Sequence, residues 1–66
     1  MKDDKLELKK TYAFAVENQQ KGNFLIAENS YLNILKQLPN HMNTRTNLGG
    51  LYLQMQEYEK AKKTSL

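Results

Sequence analysis

Laid over itself, the chain keeps residue class at an offset of 34: Phe14 falls on Leu48, Ala15 on Gly49, Phe24 on Tyr58 and Ala27 on Ala61. Self-similarity at a fixed period of about 20–50 residues marks a repeated supersecondary unit, each copy stacking on the next because it cannot bury its apolar face alone. The clearest unit turns at Gly22. This glycine can take the positive φ that ends a preceding helix, and Asn23 can cap the next. Phe24, Ala27, Tyr31, Ile34, Leu35 and Leu38 then recur at three- and four-residue spacing. Pro39 closes the stretch, because the residue before a proline is pushed out of the α region. Leu25 and Leu32 lie off that stripe, which makes this helix apolar on two sides and predicts a neighbour on each.

Spacing extends the reading to the rest of the chain. Leu8, Tyr12, Ala15 and Val16 form one stripe of an earlier helix, with Phe14 on an adjoining face and Glu17 paired with Lys21 at i,i+4. Asp3 or Asp4 can cap its start. After Pro39, Asn40 or Asn43 can cap a helix carrying Leu48, Leu51, Tyr52 and Met55, and Tyr58 and Ala61 open another, supported by Glu59 with Lys63. The pattern predicts an all-α chain forming a single domain, or a fragment of one, over 1–66, with helices at about 5–20, 23–38 and 41–55 and a short one from 57. Consecutive helices should run antiparallel across short turns. No stretch shows strand alternation.

Several function classes are excluded by what the chain lacks. It holds no cysteine, which removes disulfides, and a lone histidine, His41, cannot close a zinc site. There is no glycine-rich phosphate loop, no His-Glu-x-x-His and no nucleophile elbow, so the chain reads as neither an enzyme nor a cofactor or metal binder. His41 itself reads as a solvated turn residue, and the Tyr and Phe stripe as core packing. The longest apolar run, Tyr12 to Val16, is far too short to span a membrane. The start, Met1-Lys2-Asp3-Asp4-Lys5, is too acidic for a secretory signal, which makes a cytoplasmic protein the expectation. A net charge of +3 without arginine clustering argues against nucleic acid. The alternative of a small basic helical protein that binds nucleic acid or an anionic surface rests on Lys60, Lys62 and Lys63.

A helix-turn-helix repeated every 34 residues has the tetratricopeptide period. Leu48-Gly49-Gly50-Leu51-Tyr52 resembles the leucine-glycine and following tyrosine in the first helix of that family's repeat. Gly22-Asn23-Phe24 with Ala27 resembles its glycine turn, aromatic and alanine, and Pro39 its closing proline. The resemblance covers one repeat, about 8–41, and a partial second, about 42–66, and implies tetratricopeptide-like antiparallel hairpins in an α-α superhelix of about one and a half to two repeats. Three residues depart from the pattern: Asn18 replaces an aromatic, Ile34 a small residue and Gln56 the turn glycine. A non-glycine residue in the left-handed region costs about 1–2 kcal/mol, so the second turn is expected to differ from the first.

The resemblance further implies a protein-protein interaction module or scaffold that binds a peptide or protein segment on a concave face lined by the first helix of each repeat. The residues so placed are Lys9, Tyr12, Val16, Gln19 and Gln20, with Asn43, Thr46, Asn47, Gly50 and Gln54. A clamp for chaperone tails is not implied, since only Asn47 matches it while Tyr12 and Val16 stand where a lysine and an asparagine are wanted. Gly49 matches the family's small packing residue, which leaves Gly50 as a second glycine in mid-helix. Shifted by 34, Leu35 and Leu38 correspond to places beyond Leu66, so the third helix should be left partly uncovered. That predicts self-association, exchange of the last helix between copies, or continuation into further repeats. A purely structural, self-associating repeat segment is the remaining alternative.

Overall fold

The computed structural model describes residues 4–64. The capping role expected of Asp3 or Asp4 and the expected Glu59 to Lys63 pair lie outside the described residues and side chains. Three helices follow in order: α1 (Asp4–Lys21), α2 (Phe24–Gln37) and α3 (Met42–Thr64). Among the described residues there is no strand.

The α1–α2 turn follows from Gly22, whose φ of +85° places it in the left-handed region. Its amide donates to the Gln19 carbonyl at 3.2 Å, and the Asn23 amide reaches back to the Asn18 carbonyl at 2.8 Å. This pair of bonds is the Schellman motif, which normally adds an apolar contact across the turn. Here the contact is polar. Asn23 Nδ2 donates to Asn18 Oδ1 at 3.1 Å, and Asn18 Nδ2 donates to the Phe14 carbonyl at 2.8 Å. Asn23 stands at the N-cap of α2 but makes no side-chain cap bond, so the expected cap is replaced by a tie to α1. The asparagine found where an aromatic was wanted thus holds the hairpin together and is itself buried.

Side-chain pairs set the helix directions. Phe24 meets Tyr58, Glu28 meets Tyr52 and Tyr31 meets Asn47 in falling order, so α2 and α3 are antiparallel. Tyr12 with Asn47 and Gln19 with Gln54 rise together at a constant separation of 35, so α1 and α3 lie side by side and parallel. The buried core of Ala15, Ala27, Tyr31, Leu48 and Leu51 fills the space between the three, flanked by Tyr12, Val16, Phe24, Leu35 and Met55.

Two expectations are corrected. The third and fourth helices are one: α3 runs from Met42 to Thr64 without a break at Gln56. From Leu53 to Lys63 the chain has neither glycine nor proline and is built of good helix formers. With no residue to accept the left-handed position, continuing the helix is the cheaper course. Second, α2 does lie between two helices, but both touch its main stripe; Leu25 and Leu32, expected to find neighbours, are 69% and 44% exposed. Tyr52 and Leu38, also expected inside, are exposed as well.

Candidate partner-binding face

Of the ten residues expected on the concave face, five stand on α1 and five on α3. Tyr12, Val16, Gln19, Asn47 and Gly50 are half-buried, whereas Lys9, Gln20, Asn43, Thr46 and Gln54 are exposed. Four of them are joined by one chain of hydrogen bonds. Asn47 Nδ2 donates to the Tyr12 hydroxyl at 2.7 Å and, more loosely, to the Tyr31 hydroxyl at 3.4 Å. The Tyr31 hydroxyl donates to Gln19 Oε1 at 2.7 Å, and Gln19 Nε2 donates to Gln54 Oε1. The network ties all three helices through their polar atoms. It also fixes the floor of the face, because these groups are directed at one another. Val16 packs against the core, so its part in the face is structural.

Tyr31 was absent from the sequence-derived set. Its signal was a hydroxyl in an otherwise apolar stripe, since a buried tyrosine normally finds a partner for its O–H. Burial raises the Tyr31 phenol above its ordinary pKa; the Asn47 contact works against this, and neighbouring Tyr12 adds to it. Tyr52, outside the face, is also raised, mainly because its hydroxyl donates to the Glu28 carboxylate at 2.8 Å.

At one end of the face lies a cavity of about 370 Å³. Leu8, Tyr12, Ile34 and Leu38 give it apolar walls, and Lys5, Lys9, His41 and Asn43 complete the lining. Lys5 and Lys9 are one helical turn apart and exposed. Three of the expected face residues, Lys9, Tyr12 and Asn43, therefore meet at one hollow. The arrangement suits an apolar side chain inserted beside a carboxylate.

His41 is not the solvated residue expected. It stands just before α3, half-buried and edge-on to Tyr12 at 6.3 Å. Its Nδ1 lies 2.7 Å from Thr44 Oγ1 and accepts the Thr44 amide at 3.3 Å. That is the N-cap contact to the third helical residue, so the cap expected of Asn40 or Asn43 belongs to His41. His41→Ala should cost about 1 kcal/mol, while His41→Asn should retain most of the stability. Thermal melts of the two variants check this, and equal losses would remove the capping role.

Gly49 and Gly50 both have open space where a β carbon would stand. The packing reason expected for Gly49 is thus not met within the chain. Gly50→Ala should raise stability by about 0.5–1 kcal/mol through helix propensity alone. Its effect on partner binding then reports whether a partner approaches the backbone there: unchanged binding removes Gly50 from the contact.

Among the described residues no group of His, Asp or Glu could hold a metal ion, and no helix is long and apolar enough to cross a membrane. No protein-family model, curated protein or solved structure matches the chain.

Proposed function

We propose that the chain is a tetratricopeptide-like repeat segment acting as a protein-interaction module, and that it takes a peptide or protein segment along the face between α1 and α3. The observation that carries this reading is the cavity beside Tyr12, where an apolar hollow is bordered by Lys5 and Lys9. Those two ammonium groups have no ion-pair partner among the described residues. A ligand of matching chemistry is a segment with a large apolar side chain flanked by Asp or Glu. The parallel placement of α1 and α3 at nearly the repeat offset supports the stacked-hairpin reading.

Short labelled peptides with an Asp-Leu-Asp core test it against peptides with Lys-Leu-Lys. The acidic peptide should bind more tightly, and Lys9→Glu should weaken it by about 1.5- to fivefold, the range for exposed ion pairs. Equal binding of both peptides, or no effect of Lys9→Glu, would overturn the assignment.

A further inference from the structure

We propose that a second copy of this chain docks on the outer face of α2 and α3, antiparallel to the first, about a two-fold axis level with the bond between Tyr52 and Glu28. This face is separate from the one proposed for peptides, which lies between α1 and α3. Its apolar side chains are left to solvent: Leu25 and Leu53 are 69% and 64% exposed, and Leu32 and Tyr52 are exposed as well. Seven residues make nearly two whole turns, so positions seven apart share one stripe of a helix. Leu25 and Leu32 are such a pair on α2, and Arg45, Tyr52 and Glu59 are such a set on α3. The Tyr52 hydroxyl donates to the Glu28 carboxylate at 2.8 Å, which sets the two stripes side by side. They also meet at one end of the face, where Leu25 and Glu59 line a single hollow of about 610 Å³.

The spacing identifies the occupant, because both stripes are symmetric about one level. On α3, Arg45 stands seven residues before Tyr52 and Glu59 seven after, and both are exposed. An antiparallel copy centred on Tyr52 therefore sets each Arg45 opposite the other copy's Glu59, so opposite charges meet at both ends of the contact. On α2, Leu25 stands three residues before Glu28 and Leu32 four after. The same axis sets each Leu25 against the other copy's Leu32, to within about one residue, or 1.5 Å, along the helix. Charge and apolar surface thus agree on one alignment. Such a contact is isologous: each copy offers the same patch and receives it. Glu28 is half-buried and takes the bond from Tyr52, which turns the like carboxylates of the two copies toward their own α3. Gly49, one turn before Tyr52, has open space where a β carbon would stand, so the arriving α3 can come close to the backbone there.

Sedimentation equilibrium of the chain and its charge variants reads the contact directly. The parent should show concentration-dependent dimerisation. Each single reversal, Arg45→Glu or Glu59→Arg, should weaken the dimer by about two- to twenty-fivefold, because symmetry breaks two exposed ion pairs at once. The two reversals combined exchange the charges and should return dimerisation to within about twofold of the parent. Leu25→Ser with Leu32→Ser should weaken it further than either reversal, with helical content by circular dichroism unchanged. A monomer at every concentration would overturn the proposal. So would a double reversal no tighter than the singles, which removes the alignment about Tyr52, or a double leucine variant that dimerises like the parent, which removes this face from the contact.

Discussion

Replacing Tyr31 by alanine should abolish the cooperative melt at room temperature. Its side chain is the largest that is fully buried, and removing a buried aromatic costs about 3–5 kcal/mol. A single core in a domain this small supplies roughly 3–5 kcal/mol in all. The loss is therefore as large as the reserve. Tyr31→Phe should keep the fold but weaken it by about 1 kcal/mol, because Gln19 and Asn47 each lose a partner at the hydroxyl. Burial raises this phenol, so the folded chain favours its protonated form. The stabilisation is complete below the unfolded tyrosine value of 10.0 and is lost as pH rises from there through the raised folded value. Denaturant titrations across that range should show a shallower decline for Tyr31→Phe than for the parent. A Tyr31→Ala variant that melts like the parent would disprove the core assignment.

Ala27→Leu should cost about 1–3 kcal/mol by overpacking the hairpin. Ala27 has no exposed surface and sits with Ala15 and Tyr31 at the centre of the core, so extra methylenes have no open side to enter. The same substitution at Ala61, its exposed counterpart, should leave the melt of the monomer almost unchanged. Equal melts for parent and Ala27→Leu would mean that α1 and α2 do not pack as described.

What could be read in advance follows from how local each signal is. Gly22 was legible because only glycine takes its φ of +85° without strain. The core stripe of α2 was legible because three- and four-residue spacing fixes a helix face, and Ala27, Tyr31 and Ile34 are all buried as that spacing requires. Asn18 was not, since its value lies in a bond to Asn23 that exists only once the turn has formed. His41 was misread for a similar reason: a histidine cap depends on the rotamer that brings Nδ1 to the Thr44 amide. The break expected after Met55 came from extending the repeat across Gln56, where the local residues favour an unbroken helix. On the candidate face, Tyr12, Gln19, Asn47 and Gln54 were expected on one side through the family resemblance. It could not say that they would bond to one another through Tyr31.

The most direct test of the functional account is a titration of isotope-labelled chain with the Asp-Leu-Asp peptide, followed by backbone amide and side-chain NMR shifts. The account predicts that the largest changes cluster at Leu8, Lys9, Tyr12, His41 and Asn43, around the cavity between α1 and the start of α3. Changes centred instead on Leu25, Leu32, Tyr52 and Leu53, or spread evenly over the lysines, would contradict it.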